Sequence, residues 1–119
     1  MTNWHTIELD KNSNQNNIYA HVEICPESPW FSGHFPDEPI LPGFATLSMV
    51  FDAIQLISNN KLVLTGLKKI RFKQVIKPGD RLEIKAETQN NIHSYSFTVH
   101  ANGIHACKGR LLVDYFNKT

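Results

Sequence analysis

One histidine in this chain is set in a frame stiff enough for chemistry. His34 lies in the stretch Trp30 to Gly43, WFSGHFPDEPILPG, and Pro26, Pro29, Pro36, Pro39 and Pro42 surround it. Each proline fixes φ and removes a backbone donor, so the stretch excludes helix interior and central strand alike and reads as a rigid, irregular loop. A side chain held this way cannot wander, and an imidazole, which titrates near neutrality, can then move a proton at one fixed place.

A helix must follow that loop. After Pro42 and Gly43, Leu47, Val50, Phe51, Ile54 and Ile57 recur at helical spacing until Ser58, Asn59 and Asn60 close the run. Phe44, Ala45 and Met49 add apolar character on other faces, which predicts a largely buried helix. Gly43 at its start offers unpaired backbone N–H groups and the positive end of the dipole, with no side chain in the way. A carbonyl oxygen placed there would be polarised. If that carbonyl belonged to a thioester, its α-proton would become acidic enough for an imidazole to remove. Taken alone, the histidine could equally be structural, its ring bonded to a backbone carbonyl.

The elements that position these residues are strands. Asn17 to Ile24 alternates Ile18, Ala20, Val22 and Ile24 against Tyr19, His21 and Glu23, a half-buried strand with His21 on its polar side. The polar segment Asp10 to Asn17 is a loop that joins it to a short first strand. Beyond the helix, four strands are predicted at about 63–74, 81–89, 94–101 and 104–116, divided by Pro78-Gly79-Asp80, Asn90-Asn91 and Asn102-Gly103. The last pair is a strong hairpin signal. One helix followed by consecutive antiparallel strands implies a single α+β domain over residues 1–119, its sheet curled around the helix.

Composition narrows the function. With 12 basic and 11 acidic residues the net charge is +1, far from the surplus that drives nucleic-acid binding. No apolar run approaches the roughly 20 residues that span a bilayer, and Asn3, Glu8 and Asp10 do not fit a charged-then-apolar leader, so a cytoplasmic protein without membrane association is expected. Cys25 and Cys107 form no CxxC pair and read as small buried or half-buried side chains. His5, His93, His100 and His105 lack metal-ligand spacing and read as surface or satisfied histidines; no metal is expected. Lys68, Lys69, Arg71, Lys73 and Lys77 alternate with apolar residues, so several would share one strand face. They are either a solvated sheet edge or a docking surface for an acidic carrier protein.

The segment GHFPDEPILPG strongly resembles the motif of the 3-hydroxyacyl-acyl carrier protein dehydratases, which have a hot-dog fold: one long central helix wrapped by a curved antiparallel sheet. LKKIRFKQVIKPGDRL, Leu67 to Leu82, is similar to that family's strand and turn after the helix, and the likeness runs over about residues 15–116. The resemblance implies that His34 is the catalytic base and that the Gly43 amide binds the thioester carbonyl. It further implies that the fold dimerises through its sheets, with histidine and acid coming from different subunits. The substrate would arrive on the phosphopantetheine arm of acyl carrier protein, so no separate cofactor is expected.

One position departs from the family. Its acid, Glu or Asp, falls fourteen residues after the histidine, where this chain has Ser48. Asp52 follows one turn later on the same helical face, about 6 Å further along the axis. Three readings follow: a working dehydratase in which His34 removes the α-proton and returns it to the departing hydroxyl, with Ser48 or a water assisting; one half of a mixed dimer whose partner supplies the acid; or a noncatalytic thioester-binding module, or a thioesterase using a water held by Asp52 and Ser48. Phe35 and Phe44, with Phe31, line an acyl tunnel or else belong to the core, while Pro42 and Ile40 shape the loop beside the substrate.

Overall fold

The computed structural model describes residues 5–24, 43–58, 61–77, 79–88 and 93–115. In chain order the elements are β1 (His5–Leu9), β2 (Asn17–Ile24), α1 (Gly43–Ile57), β3 (Leu62–Phe72), β4 (Arg81–Glu87), β5 (Ser94–Ala101) and β6 (Ile104–Tyr115). All six strands join one antiparallel sheet in the order β1-β2-β4-β5-β6-β3. The predicted α+β class and the helix are therefore as expected. The third strand stops at Phe72 rather than Gln74: the amides of Lys73 and Gln74 both donate to the Ala106 carbonyl, which turns the chain out of the ladder.

Alternation decides which face is buried. Ile18, Ala20, Val22, Leu82, Ile84, Ala86, Phe97, Val99 and Leu111 point to one side of the sheet and meet Ala45, Met49, Val50, Ala53 and Ile54 of α1. Each large side chain withdrawn from water in this layer contributes about 1.5–3 kcal/mol. The sheet curls as it does so. β1 and β3 stand at its opposite edges, yet His5 of β1 reaches Asp52 of α1, and Gln55 of α1 donates to the Leu62 carbonyl and accepts from its amide, both at 2.9 Å.

Polar turn chemistry sets the registers. In the loop after β1, Asp10 Oδ1 accepts from the Asn12 amide, and Asn14 Oδ1 accepts from the amides of Asn16 and Asn17. The Tyr95 hydroxyl, anchored in the core, donates to the Gln15 carbonyl and pins this loop. The β5–β6 hairpin turns on Asn102 (φ 53°) and Gly103 (φ 84°), the left-handed pair that a two-residue hairpin requires. Asn102 is used twice more: its Oδ1 accepts from the Arg81 amide and its Nδ2 donates to Asp80.

The outer strand β3 is irregular. Its pairing with β6 shifts between Leu64 and Gly66 and again between Lys68 and Arg71, where Lys69 adopts φ 56°. Simple alternation would put Lys68 and Arg71 on opposite faces, since they are three residues apart. The extra residue instead aligns Lys68 with Arg110 and Arg71 with Lys108. Those four cations share one face, so several of the cations do stand together, and it is the bulge that groups Lys68 with Arg71. On the other face Ile70 packs where a Cβ on Gly109 would collide with it.

Candidate functional site

Four of the sequence-derived site residues fall within the described residues, all on α1. Gly43 opens the helix, so its amide and the next ones have no carbonyl one turn back to receive them. Phe72 at the end of β3 lies against it so closely that a Cβ on Gly43 would come within 2.6 Å of the ring. The helix start is thus bare of side chain but walled by an aromatic. His34, Phe35 and Pro42, together with Phe31, Ile40 and Cys25, lie outside the described residues.

Phe44, Ser48, Asp52 and Leu56 follow Gly43 at intervals of four, which stacks them along one side of the helix. The chain's own sheet leaves this stripe open: Phe44 is 74% exposed, Leu56 is 46% exposed, and Ser48 and Asp52 are half-buried. Ser48 stands between Phe44 and Asp52. The exposure of Phe44 removes it from the single-chain core, one of the two alternatives for it.

Asp52 has a neighbour that sequence reasoning missed. The Nε2 of His5 stands 3.3 Å from its Oδ2. His5 is not a surface histidine: its side chain is only 11% exposed, and both ring nitrogens are withdrawn from solvent. The signal that could have found it is the inward phase of β1, where His5 falls in step with Ile7 and Leu9. His21, His93 and His100 behave as expected of surface or satisfied rings, whereas the Nε2 of His105 is buried without a hydrogen-bond partner among the described residues. His93 Nδ1 lies 3.3 Å from the Val113 carbonyl and 3.6 Å from Asp114, His21 approaches Glu83, and His100 stacks on His105 across the hairpin.

Cys107 is buried, as read from the sequence, and burial pushes its thiol up to about 11. It remains a neutral thiol at physiological pH and is no nucleophile. Among the described residues, no group of three or more His, Cys, Asp or Glu is arranged to hold a metal ion. No described helix is long and apolar enough to cross a membrane. A groove of about 590 Å³ between the 10–17 loop and strands β2, β4 and β5 contains none of the candidate site residues.

With this geometry in hand, the relationship to known proteins is informative. A family model described as ApeI-like, ApeI dehydratase, matches residues 10–110. The chain belongs to the ApeI-like dehydratase family. Relatives of this ApeI-like chain include the 3-hydroxyacyl-[acyl-carrier-protein] dehydratase FabZ of Acinetobacter baylyi, 30% identical over 85% of this chain and 77% of the relative. The enzyme of the same name from Histophilus somni is 35% identical over 80% of this chain and 70% of the relative. Among solved structures, the dehydratase heterocomplex ApeI:P from Xenorhabdus doucetiae superposes with a TM-score of 0.78 at 23% identity, covering 89% of the ApeI-like chain and 93% of that one. A hypothetical thioesterase from Streptococcus pneumoniae, solved with coenzyme A, gives 0.71 at 12% identity over 95% of this chain and 88% of that one. These likenesses establish the hot-dog fold, and the sequence relatives place the ApeI-like chain on the dehydratase side of it.

Proposed function

We propose that the protein dehydrates 3-hydroxyacyl thioesters carried on acyl carrier protein, giving trans-2-enoyl thioesters. The observation that carries this reading is the open stripe of α1 that begins at Gly43 and continues through Phe44, Ser48 and Asp52. In this scheme the thioester carbonyl accepts from the Gly43 amide, which stabilises the enolate that forms as the His34 imidazole takes the C2 proton. The C–H electron pair becomes the new double bond and the C3 hydroxyl leaves. Its proton comes from the carboxyl of Asp52. The Ser48 hydroxyl bridges the rise of about 6 Å between one helical turn and the next. Phe44 walls the acyl chain, and Phe35 and Pro42 are assigned to the same substrate-binding set by the family resemblance.

The test is absorbance of the enoyl product from 3-hydroxyacyl carrier-protein substrates. Turnover no greater than that of a His34→Ala control rejects the reading. Restoring the family acid by Ser48→Glu should raise turnover, since it places a carboxyl a turn nearer Gly43. A thiol-trapping assay distinguishes hydrolysis, which releases free thiol with no enoyl product.

The cations grouped by the β3 bulge support an acidic carrier as partner: Lys68, Arg71, Lys108 and Arg110 present four positive charges on one face. A second reading is favoured by the heterocomplex among the structural neighbours. Here the chain pairs with a second hot-dog subunit instead of a copy of itself, and the partner supplies the acid missing at Ser48. The exposed apolar residues of the outer strand, Val63, Leu64 and Leu67, suit either pairing. Co-purification with a related subunit, and turnover only by the pair, selects the mixed dimer; full turnover by the isolated chain selects the homodimer.

A further inference from the structure

The dehydration scheme rests its proton-donating side on Asp52, and the structure gives that carboxylate an unusual attachment. Asp52 sits on the open stripe with 45% of its side chain exposed, a setting in which a helix carboxylate ordinarily samples several rotamers. One of its oxygens is nevertheless met at 3.3 Å by the Nε2 of His5. That ring is held by a strand, not a loop: β1 pairs with β2 through His5↔Ile24, Ile7↔Val22 and Leu9↔Ala20, and Ile7 and Leu9 pack on the core beside it. The imidazole is 11% exposed and reaches α1 from the far edge of the sheet.

This arrangement divides the carboxyl into two halves. Oδ2 lies 3.3 Å from a buried ring whose backbone is fixed to the sheet, a close polar contact and not an aligned hydrogen bond, and the group as a whole still opens on the stripe that carries Ser48. We propose that His5 is the positioning residue for Asp52, holding its carboxyl in the one orientation from which the other oxygen serves the departing hydroxyl. The inference rests on the reading that Asp52 supplies the proton. In the balanced step, the C2 proton passes to His34, the C–H pair forms the C2=C3 bond, and the C3–O bond breaks. The oxygen leaves as water with the proton of Asp52, and His34 returns its proton through solvent to reset the carboxyl. His5 itself gains and loses nothing. A group misplaced by about 1 Å in such a step loses roughly a hundredfold in rate, which is the scale on which a positioning residue acts.

The competing account is that the pair only ties β1 to α1. His5→Gln and His5→Asn separate the two, because the Gln amide reaches as far as Nε2 and the Asn amide stops about where Nδ1 lies. Both variants are polar and smaller than or similar to histidine, and folding of each is checked by circular dichroism and thermal melting. Using the assembly that turns over 3-hydroxyacyl carrier protein, His5→Asn should lower kcat about tenfold to a hundredfold with KM changed less than about twofold. His5→Gln should stay within about threefold of the parent. Adding His5→Asn to Asp52→Asn should cost nothing further, since the group being positioned is already gone. Parent-like kcat in folded His5→Asn, equal losses in both folded variants, or additive loss in the double variant overturns the inference. Parent-like turnover in Asp52→Asn instead overturns the underlying assignment of the acid, whatever the His5 variants do. If either His5 variant does not fold, the pair is a structural tie and the inference is overturned as well.

Discussion

Gly43 and Phe72 meet so closely at the start of α1 that a Cβ on the glycine would lie 2.6 Å from Cζ and 2.9 Å from Cε1 of the ring, so a side chain there obliges the ring to move. The missing side chain also keeps the first helix amides open to a substrate oxygen. Gly43→Ala should therefore affect turnover more than folding. Phe72 is half exposed and its ring can swing outward, so the stability cost should be about 1 kcal/mol or less. kcat/KM should fall about tenfold, because the methyl crowds the place the carbonyl oxygen takes while the N–H stays; outright loss of such a donor costs roughly a hundredfold or more. Adding Phe72→Ala relieves the collision; if it restores turnover fully, the Gly43 amide is not obstructed by the methyl and the ring alone was responsible.

The cations collected by the bulge in β3 give a charge-dependent partner test. Reversing Lys68 and Arg71 to Glu should raise KM for a carrier-protein substrate by about tenfold at low salt, and the difference should shrink as ionic strength rises. Turnover of a short thioester without the carrier should not change. Equal effects on both substrates would place the two residues in the catalytic machinery or in folding, and would remove them from the docking surface.

The hairpin turn should be costly to alter. Gly103→Ala forces a Cβ into φ 84° and should destabilise by about 1 kcal/mol. Asn102→Ala should cost more, about 2 kcal/mol, because it also removes the acceptor of the Arg81 amide and the donor to Asp80. Urea titration reads both as a lower midpoint at unchanged slope.

Burial of Cys107 predicts alkaline sensitivity. Its thiol ionises near 9 in an unfolded chain and at about 11 here, so between those values the folded state holds more protons than the unfolded one. Stability is then fully present below about pH 9 and declines as pH rises toward 11, by about 3 kcal/mol in all. Burial also raises the Tyr95 hydroxyl, which adds in the same direction from about pH 10 upward. Cys107→Ala should flatten the decline between pH 9 and 11 in thermal melts. The native thiol should resist alkylation at neutral pH and react after unfolding.

Much of the fold was legible because it is written in local period. The alternation in β2, the helical spacing from Leu47 to Ile57 and the Asn102-Gly103 turn each depend on neighbours a few residues apart. The bulge between Lys68 and Arg71 was not, since it is a property of the pairing between two strands and leaves no mark in either alone. His5 escaped for a related reason. A lone histidine near the start of a short strand carries no sign that the sheet will curl far enough to bring it against a helix residue 47 positions later. At the site, sequence spacing put Ser48 and Asp52 on one face of α1, and the structure agrees; the loop bearing His34 is read from sequence and family only.

β3 ends the sheet with 11 residues whose outer backbone groups no strand among the described residues engages. A straight edge of that length would accept almost any extended peptide and keep accepting more. Its two register shifts divide the rim into short runs out of step with one another, so only a strand kinked at the matching places can zip along it. The irregularity works as a lock on company: it favours one well-fitted neighbour and discourages endless stacking.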